Sequence, residues 1–171
     1  MERTLIILKP DALMRGVSGE IITRFERVGL KIVGVKMLQP DVDHYHHHYE
    51  EISKMISRRG QAAFDSVVGL MQEGPVIAIV LEGIGVVKIV RKMVGTTEPK
   101  EALPGTIRGD YAHISFAHAD KVGAGVANVI HASGDEKEAE EEIKHWFAEN
   151  ELYDYEPMHT SFTQPKKKSK K

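Results

Sequence analysis

Three short aliphatic runs separated by stretches of helical spacing constrain this chain more than any other feature of its sequence. Arg3 to Lys9 reads as a buried strand, and Pro10 stops it, because proline biases its predecessor towards extended backbone and cannot donate to a ladder. Lys9 is thereby placed at a strand end. Leu30 to Leu38 alternates Ile32, Gly34 and Lys36 with Val33, Val35 and Met37, and Pro75 to Leu81 is dense in valine and isoleucine, so both read as strands. Helical spacing fills the intervals. It runs from Ser18, a possible N-cap, through Ile21, Ile22, Phe25 and Val28 to a stop at Gly29. It resumes from Asp41 through Tyr49, from about Gln61 to Met71 with Phe64, Val67, Val68 and Met71 on one side, and from Gly85 to Val94.

Pro99, Pro104, Gly105 and Gly109 forbid a long element between Thr96 and Asp110. Asn128 to His131 is a brief extended piece. After it, Ser133 with Glu136 three residues on reads as a capping box, opening a helix with Ala139, Ile143, Trp146 and Phe147 as its apolar stripe. The order β, α, β, α, α, β, α, loop, β, α predicts an α+β, ferredoxin-like (split βαβ) antiparallel four-stranded sheet with helices packed on it.

Composition narrows the chemistry. A chain of 171 residues, 42% hydrophobic and 28% charged, fits one globular domain, predicted over residues 1–165, and the absence of cysteine excludes disulfides, thiolate metal sites and a cysteine nucleophile. The net charge of −2 hides an asymmetry, because five of 23 basic residues lie in the last six positions, leaving 18 against 25 acids, or −7. The lysine-rich stretch 166–171 is expected to be a disordered tail. A body that acidic argues against long nucleic acid as a partner and for a few focused cations on any phosphate. The apolar run Leu5–Leu8 is far below the roughly 18 residues of a membrane span, and nothing resembles a signal peptide, so a cytoplasmic location without membrane contact is expected.

Neither GxxxxGK[ST] nor GxGxxG occurs, so a phosphate site has to be built another way. The candidates are Lys9 at a strand end, Arg91 near the end of a helix, Thr97 just after it, and Arg108 in the glycine-rich loop Pro104 to Asp110; arginine suits the task because its planar fork binds phosphate oxygens in pairs. Taken alone, each reads more readily as a solvated or salt-bridged surface side chain. His131, between a strand and a helix start, carries an imidazole whose unperturbed pKa of about 6.5 leaves a neutral fraction able to attack phosphorus. The run His44-Tyr45-His46-His47-His48 places His44, His47 and His48 on one helical face; without accompanying carboxylates or thiolates it reads as a solvated face, not a metal site.

Thr4-Leu5-Ile6-Ile7-Leu8-Lys9-Pro10-Asp11, Gly19-Glu20-Ile21-Ile22 with Arg24-Phe25-Glu26, Tyr49, Gly74-Pro75-Val76, Glu82-Gly83, Pro104 to Asp110, and Asn128-Val129-Ile130-His131-Ala132-Ser133 stand in this order along the chain. In that order they resemble the nucleoside diphosphate kinase family, whose phosphohistidine signature residues 128–133 match throughout. The resemblance implies phosphoryl transfer between nucleoside tri- and diphosphates by a ping-pong route through His131. It implies phosphate and sugar contacts from Lys9, Arg91, Thr97 and Arg108, a ribose contact from Asn128, and support of the histidine by Tyr49, Ser133 and Glu142. It further implies Mg2+ carried mainly on the nucleotide phosphates, with no metal held by protein ligands, and a homo-oligomer, hexamer or tetramer, contacting through the loop around Pro104.

Three positions depart from the family pattern. Ala63 stands where the family places a base-stacking phenylalanine, which shifts that expected role to the adjacent Phe64 with Val67 beside it; residues 111–127 run about ten residues longer than usual; and Gly134 replaces an aspartate. Nothing near the expected pocket offers polar groups to read a base edge, so all bases should be accepted. The rival reading, a nucleotide-binding regulator without chemistry, gives no reason for His131 to sit between Asn128 and Ser133.

Overall fold

The computed structural model describes residues 1–158 and 160–163. The expected lysine tail at 166–171 lies outside the described residues. Strand β1 (Glu2–Leu8) leads into α1 (Pro10–Met14) and α2 (Ser18–Arg27), then β2 (Lys31–Leu38), α3 (Val42–His46) and a π-helical turn His47–Ile52. Helices α4 (Met55–Arg59) and α5 (Gln61–Gln72) precede β3 (Val76–Gly83), α6 (Val86–Val94), a 3-10 turn Pro99–Glu101, α7 (Ile107–Tyr111) and α8 (Phe116–Val122). Strand β4 (Ile130–Ala132), α9 (Glu136–Trp146), a 3-10 turn Glu149–Glu151 and α10 (Thr160–Thr163) complete them. The four strands form one antiparallel sheet in the order β2-β3-β1-β4, as the α+β ferredoxin-like expectation required.

β1 lies inside the sheet and is covered on both faces, which is why it reads as a continuous aliphatic run. Ile6 and Leu8 pack with Ile21 and Phe25 of α2 and Val86, Val87, Val90 and Val94 of α6. Leu5 and Ile7 face the other way, onto Tyr45, Tyr49, Phe64, Val68, Met71 and Trp146. Burying each such aliphatic side chain contributes roughly 1.5–3 kcal/mol.

β2 departs from simple alternation. Ile32 pairs with Leu81 and Gly34 with Val80, so Val33 is the extra residue of a bulge; Val33 is buried while Val35 and Met37 point to solvent. Two predicted caps also differ. Ser18 is the first residue of α2 rather than its cap, with no side-chain cap on Val17. The cap of α9 is Asp135, whose carboxylate accepts from the Glu138 N–H at 2.9 Å, two residues beyond the expected Ser133. Asp41 caps α3 through the His44 N–H at 2.8 Å.

Candidate active site

His131 is the middle residue of β4, opposite Ile7 of β1, and an unusual turn immediately before it fixes its place. Val129 has φ 61°, a left-handed conformation that costs a β-branched residue on the order of 1–3 kcal/mol. The turn closes with Ile130 N–H donating to the Asn128 carbonyl at 2.7 Å. Two outside contacts hold it: Lys9 N–H donates to the Val129 carbonyl at 3.0 Å, and Asp11 Oδ2 accepts from Val129 N–H at 3.0 Å. Asp11 therefore positions the segment that carries Asn128 and His131. Sequence reasoning assigned it no such role, although the Lys9-Pro10-Asp11 triplet, which turns the chain at the end of β1, is the signal that could have found it.

The His131 ring is fixed by its Nε2, 2.8 Å from Glu142 Oε1. Glu142, wholly buried on α9, takes a second bond from Ser133 Oγ at 2.6 Å on its other oxygen. A hydroxyl has one proton, and this bond is shorter than the 3.3 Å approach of Ser133 to the Leu5 carbonyl, so Ser133 donates to Glu142 and accepts from Leu5 N–H at 3.2 Å. A carboxylate with two donors on it is an anion that keeps the proton of His131 on Nε2 and leaves the Nδ1 lone pair free. Burial pushes the Glu142 carboxyl upward, while His48 and the Ser133 hydroxyl draw it back.

His131 is itself held neutral. Burial lowers its pKa first, Glu138 opposes, and Lys9, Arg108 and Arg91 lower it further. Those three cations are the ones the sequence singled out. Arg108, on the first turn of α7, is buried and donates to the Gly95 carbonyl at 3.0 Å and the Ile130 carbonyl at 2.7 Å. Gly95 has φ 85°, and a Cβ there would meet Thr106 Oγ1 at 2.6 Å, so only glycine lets the chain after α6 approach the α7 cap this closely. Burial and the neighbouring Arg91 bring Arg108 down to about 10, still charged at pH 7. Lys9 is buried, and burial with the Arg108 charge brings it down to about 8. Arg91 is exposed on the last turn of α6 and reaches the Ala132 carbonyl at 3.5 Å.

Several buried polar atoms here have no partner among the described residues: Arg108 Nε, the Tyr49 hydroxyl and Asn128 Oδ1. Tyr49 stands edge-on to His131 at 6.2 Å, and burial raises its phenol well above the usual value. Asn128 Nδ2 donates to the Thr97 carbonyl at 2.9 Å, which joins the loop after α6 to the segment of His131. Arg108 Nε–H and the Tyr49 hydroxyl, unpaired donors beside a neutral imidazole and three cations, form a cradle for a compact, highly charged anion.

His48 meets His131 at a ring separation of 4.6 Å and is wholly buried, which corrects the expected solvated histidine face. Trp146 Nε1 donates to His48 Nδ1 at 3.1 Å. His44 and His47 both stack on His145 of α9, at 3.9 and 4.3 Å, so the face is the packing surface of α3 and the π turn against α9. Among the described residues, His48, His131 and Glu142 bring potential ligand atoms within 4.8 Å of one another. The His48 Nδ1 lone pair is engaged with Trp146 and the two Glu142 oxygens with His131 and Ser133, which suits ring positioning better than metal ligation.

The structure does not bring Phe64 to this group. Its side chain is only 6% exposed, packs in the core with Val68 and Met71, and turns its ring towards His46 at 5.6 Å, leaving no open face for a base. Helical spacing explains this: Phe64, Val68 and Met71 lie on the core face of α5. The long segment 111–127 folds as α8, capped by Ser115 Oγ accepting from His118 N–H at 3.2 Å. Gly134 N–H donates to Glu138 Oε2 at 2.7 Å, and a Cβ on Gly134 would meet that oxygen at 2.2 Å.

A family model described as nucleoside diphosphate kinase matches residues 2–152. The chain is similar to a nucleoside diphosphate kinase of Pyrococcus furiosus, 44% identical over 99% of this chain and 98% of that one. It is also similar to one of Borreliella burgdorferi, 43% identical over 91% of this chain and 92% of that one. A solved structure described as a transition-state mimic of nucleoside-diphosphate kinase from Borrelia burgdorferi, with bound vanadate and ADP, superposes with a TM-score of 0.91. Its sequence is 41% identical, and the match covers 95% of this chain and 96% of that one.

Proposed function

Because the chain belongs to the nucleoside diphosphate kinase family, we propose that the residues gathered around His131 divide the family's reaction among them as follows. The enzyme moves the terminal phosphoryl group of a nucleoside triphosphate to a nucleoside diphosphate in two displacements. In the first, the Nδ1 lone pair of His131 attacks the terminal phosphorus, an N–P bond forms, and the bond from phosphorus to the bridging oxygen breaks, releasing a diphosphate. In the second, the terminal oxygen of another diphosphate attacks the same phosphorus and the N–P bond breaks.

Glu142 keeps the Nε2 proton in place and offsets the positive charge that the ring gains when Nδ1 bonds phosphorus, and Ser133 holds Glu142. Lys9, Arg91 and Arg108 neutralise the phosphate oxygens, with the Tyr49 hydroxyl as a further donor; positioning and charge are most of what phosphoryl transfer requires. Asn128 and Thr97 take the sugar end. The donor set is cationic or neutral, which fits a magnesium ion arriving on the nucleotide rather than one held by the protein. Lys9, Arg91 and Arg108 would hold the phosphates of such a nucleotide, and the Mg2+ it carries would supply further neutralisation of their charge.

The transition-state mimic with vanadate and ADP in the Borrelia enzyme agrees with this assignment. The observation that carries it in this chain is the His131 Nε2 to Glu142 bond, which leaves one nitrogen free on a ring that also feels the charges of Lys9, Arg108 and Arg91. A homo-oligomer belongs to the same proposal, supported by exposed Leu103 beside Pro104 and by exposed Val35 and Met37 on the edge strand β2. No helix among the described residues is long and apolar enough to cross a membrane, and a cytoplasmic location is proposed with the rest.

Steady-state kinetics with one triphosphate and one diphosphate varied should give the parallel lines of a ping-pong mechanism. His131→Ala should bind nucleotide and transfer nothing. Intersecting lines, or transfer by the variant, would contradict the assignment.

A further inference from the structure

With Phe64 in the core and Ala63 half-buried, α5 offers no aromatic face to a nucleotide base. An aromatic face stands instead in the segment 111–127, which runs about ten residues longer than the common family pattern. Phe116, the first residue of α8, is half-buried and belongs to neither core cluster, and the Arg59 guanidinium lies over its ring at 4.4 Å. Arg59 is exposed and has no hydrogen bond or ion pair among the described residues, so nothing else holds it there.

The two residues come from separate segments, each joined in sequence or by hydrogen bonds to residues of the site. Arg59 ends α4, which follows the π turn that sets His48 and Tyr49 against His131. Phe116 is tied to the loop after α6: its N–H donates to Glu98 Oε1 at 3.0 Å, and the Ile114 carbonyl accepts from Lys100 N–H at 3.2 Å. Glu98 follows Thr97, the residue whose carbonyl holds Asn128. Beyond α8 the chain closes onto α5, where a Cβ on Gly125 would meet the Ser66 carbonyl at 2.4 Å. The helix that carries the ring is therefore tied before its first turn to the loop that follows Thr97, and beyond its last turn to α5.

We propose that Phe116 and Arg59 are the base-binding site of this enzyme, a purine or pyrimidine ring stacking on Phe116 and the guanidinium moving onto the outer face of the base. This rests on the kinase reading above. Every base has a π face and every arginine plane can cover it, so the site takes all nucleobases alike and serves affinity rather than selection. An exposed arginine over a ring yields readily, because its place is taken by a base that offers it a second flat face.

The test uses the full-length enzyme with Phe116→Ala, Phe116→Tyr, Phe116→Trp and Arg59→Ala. Phe116→Ala should raise KM for adenine, guanine and cytosine nucleotides about ten-fold each, a step matching the loss of one stacking contact. Its kcat and melting temperature should stay at wild-type values, and Phe116→Tyr should restore KM. Arg59→Ala should raise KM for the same nucleotides by a smaller common factor. In Phe116→Trp the new indole emission, distinct from that of buried Trp146, should be quenched by nucleoside diphosphates and not by inorganic tripolyphosphate.

An unchanged KM in Phe116→Ala with normal phosphohistidine formation would overturn the base site and leave the kinase reading standing. So would an indole signal indifferent to nucleotide, a loss confined to one base, or a fall in melting temperature accompanying the KM change. Failure of the wild-type enzyme to form phosphohistidine at all would instead strike the reading beneath it.

Discussion

Glu142 has two oxygens, one engaged by His131 and the other by Ser133, and its side chain is wholly buried on α9. Glu142→Gln keeps the shape and presents an amide donor to one of two groups that are already donors. The His131 ring must then change tautomer or rotate, so kcat should fall on the order of 10²-fold or more while KM for nucleotides changes little. A kcat within two-fold of wild type would show that the carboxylate does not set the ring. Lys9 makes the complementary case. Its pKa of about 8 lies below the usual lysine value because burial and Arg108 disfavour its charge, so below pH 8 the charged side chain costs folding stability, and that cost fades as pH rises towards 10.5. Lys9→Met should therefore lose nucleotide affinity without lowering the melting temperature at pH 7, and wild-type KM should climb as pH passes about 8. A lower melting temperature in the variant would mean that the lysine serves the fold. The two arginines part company in the same way. Arg91 is exposed, so its neutral variant should lose turnover far more than stability; Arg108, bonded to two carbonyls and buried, should lose both.

At the scale of elements, the start of α9 and the turn before β4 place the nucleophile. Asp135→Ala should cost about 1 kcal/mol of stability through loss of the cap, with chemistry nearly intact because Glu142 lies almost two turns further on. A severe kcat loss there would show that the cap also governs the carboxylate. Much of this scale was readable beforehand. β1 announced itself by an unbroken aliphatic run ending in Lys9-Pro10, and the run Asn128 to Ser133 located the nucleophile before any geometry was known. The rest was hidden for physical reasons. Ser133 and Asp135 each have a glutamate three residues on, so two overlapping capping frames compete, and only the demand of buried Glu142 for the Ser133 hydroxyl decides between them. The bulge at Val33 leaves no mark in an alternating strand, since an inserted residue of the same type looks like regular continuation. His48 looked like one solvated histidine among several because its partner, Trp146, is 98 positions away. Phe64 shows the opposite error, where the helical spacing that placed it with Val68 and Met71 already marked it as core.

For the molecule as a whole, the packed histidines link activity to acid stability. Burial lowers the pKa of His44 to about 4 and lowers His48, His131 and His145 as well. In the unfolded chain these groups titrate near 6.5, so below that pH the unfolded state binds more protons than the folded one. Their stabilisation is fully present above about pH 6.5 and is lost as pH falls from there through about 4. Melting temperatures should therefore drop through this window before most carboxylates are protonated, and the drop should shrink in a His44→Gln variant; a melting temperature flat from pH 7 to 5 would contradict the packing of α3 on α9. The account depends most on which nitrogen is free. After a single turnover with ATP and magnesium, the phosphoenzyme can be isolated and its phosphorus–nitrogen couplings read by NMR on 15N-labelled protein. The structure predicts phosphate on Nδ1 of His131, with Nε2 still protonated against Glu142, discharged fully by added nucleoside diphosphate. Phosphate on Nε2, or on any residue other than His131, would contradict it.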